Sequence, residues 1–233
     1  MSPLKLTVLS MSIAVVLSSY LAWYVDLFSS EVYFTKWIQN FTMGEVSFLN
    51  GLIFWMGLRG VAGITMVLVF STLWLRRQRI EAIFLSLISI PDIFNIWLRE
   101  FIGRPRPNED MVNVLTGYGG AQGSSFPSGH ALHVILFYGF LAYLASKYIS
   151  NRHFVVATWA LVILYTLISG LWLIYDGRHW FLDVLGGYIY GSFYLLVLIS
   201  CYKRTKERIL LDERLQSPLL LRKPVKYLLR LIR

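Results

Sequence analysis

The sequence predicts an all-α, polytopic membrane protein with six transmembrane helices. Apolar residues make up 56% of the 233-residue chain, charged residues only 15%, and the mean hydropathy is +0.57. A soluble domain carries about 25% charged residues. Six stretches are also close to or above the length of about 20 mostly apolar residues that crosses a bilayer. Composition therefore excludes an ordinary soluble domain and a disordered chain.

The first predicted span, residues 6–25, contains no charged residue. It is longer than the apolar core of a signal peptide, which has about 7–15 residues, and no small-residue cleavage site follows it, so we interpret it as an uncleaved span. The other predicted spans are residues 48–75, 80–98, 128–147, 154–175 and 181–202. Arg59 and Asp92 fall inside the second and third spans, and because buried charges are costly we expect them to pair.

Basic residues in the short loops predict the orientation. They follow the second span (Arg76, Arg77, Arg79), the fourth (Lys147, Arg152) and the sixth (Lys203, Arg204, Lys206). Cytoplasmic loops carry such residues, so both termini are predicted to be cytoplasmic. The segment 26–47, the loop 99–127 and the turn 176–180 then lie on the extracytoplasmic side. Within the first of these, residues 31–47 are too polar to span and predict an interfacial helix.

Two domains are predicted: a transmembrane domain over residues 1–202 and a basic amphipathic cytoplasmic tail over 203–233. The tail holds ten Lys and Arg against three Asp and Glu, which is +7 of the chain's net charge of +9. Such a tail suits anionic lipid headgroups, and we expect no nucleic-acid partner. The single cysteine, Cys201, excludes an internal disulfide and a thiolate metal site.

Three polar clusters follow or precede predicted spans on the extracytoplasmic side: residues 99–107, 124–130 and 175–183. We expect them to meet at one membrane depth. The first contributes Arg99, Arg104 and Arg106, whose planar guanidinium groups suit phosphate oxygens. The second contributes Ser128, a favourable helix N-cap, and Gly129, which lets an anion approach free backbone N–H groups. Taken singly, the arginines could be headgroup anchors and Ser128 only a helix start.

The clusters also contain two histidines, a possible general acid and a possible nucleophile. His179 and Asp183 are four residues apart, so they share one face of a helix and the carboxylate can orient the imidazole. Each histidine alone could be a structural hydrogen-bonding residue, and the His179–Asp183 pair a polar clamp. Three such clusters on one side together favour a functional site, which we predict at the extracytoplasmic end of the bundle.

The chain resembles the type 2 phosphatidic acid phosphatase superfamily, which includes membrane lipid-phosphate phosphatases and is related to vanadium haloperoxidases. The first family motif is a basic residue, six residues and Arg-Pro, which matches Arg99 and Arg106-Pro107. The second, Pro-Ser-Gly-His, matches residues 127–130. The third is Ser-Arg, five residues, His, three residues, Asp, of which only His179 and Asp183 match. The resemblance covers about residues 48–202.

The third motif departs from the family pattern because Trp172-Leu173 stands where Ser-Arg is expected. The arginine that would bind phosphate there is absent. Arg178, beside the nucleophile position, is one candidate to replace it, and Arg104 is another.

The resemblance implies a lipid phosphate phosphatase that works through a phosphohistidine. His179 would attack phosphorus, Asp183 would orient it and His130 would protonate the leaving oxygen. The phosphoryl oxygens would be held by Arg99, Arg106, Ser128, Gly129 and Arg178. Fixed arginines can neutralise the phosphate, so no metal or cofactor is expected.

Candidate substrates are phosphatidic acid, phosphatidylglycerophosphate, a polyprenyl diphosphate and a lipid A phosphate. A lipid phosphotransferase with the same site and a non-catalytic lipid-binding or transport member of the fold are the alternatives. We expect a multi-pass protein of a bacterial inner membrane with a periplasmic site. The residues predict no particular oligomeric state.

Overall fold

A computed structural model describes residues 3–25, 27–40, 59–115 and 123–211. Within these ranges the chain forms eight helices and no strand. The helices are α1 (Pro3–Tyr24), α2 (Ser29–Gln39), α3 (Arg59–Leu75), α4 (Arg79–Ser86), α5 (Ser89–Ile102), α6 (Gly129–Tyr148), α7 (Arg152–Tyr175) and α8 (Phe181–Leu211).

The fold is the all-helical membrane architecture that the composition predicts. Five stretches of the described chain are long and apolar enough to cross a membrane: α1, α4 with α5, α6, α7 and residues Phe181–Ile209 of α8. The predicted second span, 48–75, is described only from residue 59, and its apolar helical part, Gly63–Leu75, is shorter than a span. The count of six therefore stays a prediction. The side chain of Arg59 also lies outside the described residues, and so does its predicted pairing with Asp92.

The predicted third span is interrupted at residues 87–88, which separate α4 from α5. Pro91 is the cause, because proline has no N–H to donate to the carbonyl of Leu87 and its ring clashes with that carbonyl. The carbonyl of Leu87 instead accepts from Ile90 N at 3.1 Å, which tightens the turn. The break leaves Asp92 in the first turn of α5.

The most extensive packing between helices joins α6 and α8. Two glycines of α8 make it possible, because a Cβ on Gly187 would lie 2.6 Å from Ser128 O and a Cβ on Gly191 would lie 2.8 Å from Leu132 O. Small residues four apart let two helix backbones approach closely in a membrane protein. This close approach brings the start of α8 against the start of α6.

At the other end of the bundle, a buried carboxylate ties α4 to α6 and α8. Glu81 Oε1 lies 2.6 Å from Lys206 Nζ, accepts from Tyr202 OH at 2.8 Å and also accepts from Tyr148 OH. Because α8 continues to Leu211 and buries Lys206, the first part of the predicted tail is the last part of a packed helix. Residues 212–233 lie outside the described residues.

The segment predicted to be interfacial begins with α2, which packs one face against α7 and α8. Glu31, Thr35 and Ile38 are buried on this face. Beyond it, Gln39 Nε2 donates to Asn113 O at 2.7 Å and to Tyr175 O at 2.8 Å. The helix is therefore fixed to the bundle at the end where the three polar clusters lie. Residues 41–47 of the predicted segment lie outside the described residues.

Candidate active site

The structure brings the three polar clusters into contact. Arg104 of the first cluster donates from Nη1 to Asp183 Oδ1 of the third at 2.5 Å. Arg99 donates from Nη2 to Ser124 O of the second cluster at 2.6 Å. The backbone N–H of Ser128 donates to Asp183 O at 2.9 Å. Residues far apart in sequence therefore form one site at one end of the bundle.

His179 and Asp183 form the most deeply buried part of the site. The exposed fractions of the two residues are 2% and 0%. His179 Nδ1 lies 3.6 Å from Asp183 Oδ2, slightly beyond a direct hydrogen bond. Such contacts are often long in unliganded enzymes and shorten when substrate binds. The arrangement directs Nδ1 towards the carboxylate and leaves Nε2 as the other ring atom available for chemistry.

Burial sets the protonation state of His179. Loss of hydration lowers the pKa of His179 to about 4, although the neighbouring Asp183 carboxylate acts in the opposite direction. The positive charges of Arg106 and Arg99 lower this pKa further. The imidazole is therefore neutral at neutral pH, with a lone pair available for nucleophilic attack.

Arg104 supports Asp183 from within the protein. Its Nη1 contacts Asp183, its Nη2 donates to Glu31 Oε2 at 2.5 Å, and its side chain is 0% exposed. Its burial and these two ion pairs favour a supporting role over the alternative that Arg104 replaces the missing phosphate-binding arginine, and that alternative stays a prediction. Its guanidinium bridges two carboxylates, which is the bidentate role for which arginine is suited.

The same two carboxylates cap the N-terminus of α8. Asp183 Oδ2 accepts from Trp180 N at 2.8 Å, and Glu31 Oε1 accepts from Leu182 N at 2.8 Å. These N–H groups have no acceptor within the helix, and the positive end of the helix dipole favours negative charge there. Glu31, Arg104 and Asp183 thus hold each other and the helix start in one fixed arrangement.

The Pro-Ser-Gly-His segment starts α6 as predicted. Ser128 is its N-cap, and the Ser128 hydroxyl oxygen accepts from Ala131 N at 3.4 Å. Gly129 lies against α5, where an added Cβ would come within 3.0 Å of Asn95 Nδ2 and 3.9 Å of Arg99 Nη1. His130 is partly exposed in the first turn and lines a cavity beside the site.

Arg99 and Arg106 reach the site from the first cluster and are partly exposed. Arg99 contacts Ser124 O through Nε at 3.0 Å and Nη2, so backbone carbonyl contacts fix its guanidinium beside Gly129. Arg106 donates from Nη1 to Arg178 O at 3.0 Å. Both guanidinium groups lower the pKa of His179 by their positive charge, so both lie close enough to attract an anion bound beside it.

The third-motif departure has a structural counterpart. Leu173 is buried in an apolar cluster with Ile38, Ala131, Ile174 and Val184, so an apolar contact occupies the place of the expected arginine. Arg178 follows in the turn between α7 and α8, and its Nε pairs with the fully buried Asp176. The pair holds Arg178 one residue before His179.

Sequence reasoning missed Glu31, Asn95 and His133. Glu31 belongs to no motif, and only its position in a short helix with a buried face could have drawn attention to it. Asn95 and His133 were detectable, because Asn95 is four residues before Arg99, His133 is three after His130, and such spacings share a helix face. Asp92, which we expected to pair with Arg59, accepts through Oδ2 a hydrogen bond from His133 Nδ1 at 2.7 Å.

Within the described ranges, no group of three or more His, Cys, Asp or Glu side chains is arranged to hold a metal ion. The absence of a metal requirement stays a prediction.

Two comparisons with known proteins gave matches. The profile of the PAP2 superfamily matches residues 80–207, more than half of the chain. The crystal structure of a transmembrane PAP2-type phosphatidylglycerolphosphate phosphatase from Bacillus subtilis superposes with a TM-score of 0.72 at 20% identity. The match covers 87% of this chain and 96% of the other, so the two share a fold. A comparison with curated protein sequences gave no significant match.

Proposed function

Because the chain belongs to the PAP2 superfamily, we propose that it is an integral-membrane lipid phosphatase that hydrolyses a lipid phosphate through a phosphohistidine at His179. The observation that carries the proposal is the buried His179–Asp183 pair, held by Arg104 and faced by Arg99 and Arg106. A neutral imidazole, a fixed carboxylate and two guanidinium groups at one point match the needs of phosphoryl transfer.

In the first step, the lone pair on His179 Nε2 forms a bond to phosphorus while the bond from phosphorus to the lipid oxygen breaks. His130 gives its proton to that leaving oxygen. Asp183 faces Nδ1 and stabilises the positive charge that develops on the phosphorylated ring.

In the second step, water attacks phosphorus and the phosphorus–nitrogen bond breaks. His130, now neutral, takes a proton from the water, and free phosphate leaves. His179 returns to its neutral form, which its burial favours.

The phosphoryl oxygens are held by Arg99, Arg106, Ser128 and the backbone N–H groups at Gly129, which starts α6. The α6 dipole adds to this attraction, because the N-terminus of a helix favours an anion. Arg178 supplies the charge that Leu173 does not. The contact with Asp176 fixes its guanidinium in the turn beside His179.

The site then lies at the extracytoplasmic end of the bundle, with both termini cytoplasmic in a bacterial inner membrane. The support is the distribution of basic residues, which favours the cytoplasm for the end that carries Arg76, Arg77 and Arg79. A phosphate at headgroup depth can enter while its lipid tails stay in the membrane. The basic tail that the sequence predicts over residues 203–233 suits anionic headgroups on the cytoplasmic face.

The test is phosphate release by the purified full-length protein in detergent, with EDTA present. The panel contains phosphatidic acid, lysophosphatidic acid, phosphatidylglycerophosphate and undecaprenyl diphosphate. We expect release that survives EDTA and disappears in His179→Ala. His153→Ala is the matched control, because His153 is exposed at the start of α7, at the other end of the bundle.

Other outcomes separate the alternatives. Labelled phosphate that moves from one lipid to another, with little free phosphate, favours the phosphotransferase. No turnover of any lipid by folded protein favours a non-catalytic member of the fold. An acid-labile labelled phosphoenzyme that is lost in His179→Ala supports the phosphohistidine, and release without such an intermediate opposes it.

A further inference from the structure

A cavity of about 340 Å³ adjoins the site within the membrane-spanning part of the bundle. It lies between α3, α5 and α6, and Arg99, Gly129 and His130 form part of its wall. Its volume is in the range of small-molecule binding pockets, about 300–1,000 Å³. A lipid whose phosphate is at the site has its leaving group next to this cavity.

Polar side chains extend from the site into the cavity along two helix faces. On α5, Asp92, Asn95 and Arg99 follow a spacing of three and four residues, and on α6 His133 follows His130 by three. At a rise of about 1.5 Å per residue, Asp92 lies about 10 Å further along the helix than Arg99, and His133 about 4.5 Å beyond His130. A group bonded close to the phosphate therefore reaches Asn95 and His133 first.

These side chains carry hydrogen-bonding atoms without partners. Asn95 is only 3% exposed, and among the described residues neither Asn95 Oδ1 nor His133 Nε2 has a hydrogen-bond partner. Asp92 and His133 pair at 2.7 Å, and their side chains are 31% and 18% exposed. Buried polar atoms normally have a partner, and ionisable residues inside a membrane usually have a function.

The unpartnered atoms are acceptors. Asn95 Oδ1 can only accept. When His133 Nδ1 carries the proton towards the Asp92 carboxylate, Nε2 also accepts. A complementary ligand must therefore donate hydrogen bonds, as a hydroxyl group does and as an ester carbonyl or a hydrocarbon chain does not.

We propose that this cavity binds the leaving group of the lipid substrate, and that Asn95 and the Asp92–His133 pair select a leaving group with a free hydroxyl near the phosphate. The inference rests on the proposed function and names its substrate class: phosphate monoesters of hydroxyl-bearing lipids, in preference to diacylglycerol or polyprenyl phosphates. Asp92 positions the His133 ring and fixes which ring nitrogen faces the ligand.

The test compares lysophosphatidic acid with its 2-deoxy analogue, in which the free hydroxyl is replaced by hydrogen. We expect the wild-type protein to favour the hydroxyl-bearing substrate at least tenfold in kcat/KM, because a site built to bond a hydroxyl leaves its acceptors unpaired with the analogue. A ratio near one in the wild type overturns the inference even if turnover is fast, so the two proposals fail separately.

The variant is Asp92→Leu with His133→Phe, which replaces both partners by apolar groups of similar shape and keeps the ring that stacks on Phe137. We expect the substrate ratio to fall towards one, with Asn95 alone left to bond the hydroxyl. An equal loss with both substrates, at an unchanged ratio, would show a structural pair and overturn the inference. Asn95→Leu is the second variant if the double one does not fold, and the ratio should again fall towards one. His153→Phe is the control and should keep the wild-type ratio.

A binding measurement covers the case of no turnover. The leaving groups themselves, monoacylglycerol and the corresponding acylated propanediol, are titrated into the detergent-solubilised protein and followed by tryptophan fluorescence. Tighter binding of monoacylglycerol that is lost in Asn95→Leu supports the inference. Equal binding of the two overturns it.

Discussion

Glu31→Gln removes a negative charge from behind Asp183 with almost no change in side-chain size. Glu31 accepts from Arg104 Nη2 at 2.5 Å through Oε2 and from Leu182 N at 2.8 Å through Oε1. Gln has one acceptor oxygen and one donor nitrogen. In either orientation of the amide, an N–H group therefore faces another N–H group.

The expected size of the effect follows from this conflict. Leaving a buried donor unsatisfied costs about 1–3 kcal/mol. If the strain displaces Arg104 and, through it, Asp183, the same free energy is lost from the transition state. Because about 1.4 kcal/mol changes a rate tenfold, we expect kcat to fall about 5- to 150-fold. We expect KM to change less than threefold, because Glu31 lies behind Asp183 and Arg104 and is not in contact with the phosphate.

The assay is steady-state phosphate release from the preferred lipid, with thermal unfolding measured on the same preparations. Glu109→Gln is the matched control, since Glu109 is exposed in the loop after α5 at the same end of the bundle. A folded Glu31→Gln protein with kcat within twofold of wild type would refute the reasoning. A rise in KM at constant kcat would also refute it, because Glu31 would then act on binding.

Three further predictions concern protonation, the third motif and the far end of the bundle. When kcat/KM is plotted against pH, its acid limb should have a midpoint near pH 4, where His179 becomes protonated and loses its lone pair. A midpoint near 6.5, the ordinary pKa of histidine, would contradict this. Leu173→Arg should lower the unfolding temperature without raising kcat/KM, because it buries a cation among apolar side chains. A variant that is as stable as wild type and has a higher kcat/KM would contradict this. Lys206→Met should destabilise the protein by about 3–5 kcal/mol in an unfolding assay, because it leaves Glu81 buried without its cation. The control is Arg204→Met on the exposed face of the helix, which should unfold like wild type.

The sequence predicted the helical membrane fold and the meeting of the three clusters because both depend on local patterns. Span length and hydropathy are local, and the clusters adjoin span ends on one side of the membrane. The break at residues 87–88 was also predictable in principle, because Pro91 acts on its own helix. The approach of α6 to α8 through Gly187 and Gly191 was not, since it depends on which helix faces the glycines.

The role of Arg104 shows where sequence reasoning fails in the site. Its place among the arginines of the first polar cluster made it a candidate to replace the missing phosphate-binding arginine. The contact with Glu31, 73 residues away, commits it to Asp183 instead, and no local pattern reveals that contact. A buried arginine takes the partners that satisfy its charge, and those partners are fixed by tertiary packing.

The polar residues of the site differ in whether they face one another or the cavity. Glu31, Arg104 and Asp183 pair with one another behind His179, so we expect them to act by holding His179 in place. Asn95 and His133 keep unpartnered atoms beside the cavity, so a ligand can complete them. Substitutions in the first group should therefore change kcat alike for every lipid, whereas substitutions in the second should change the ratio between lipids. Activity measurements of both sets of variants on the same two substrates therefore distinguish effects on the rate of phosphoryl transfer from effects on the choice of leaving group.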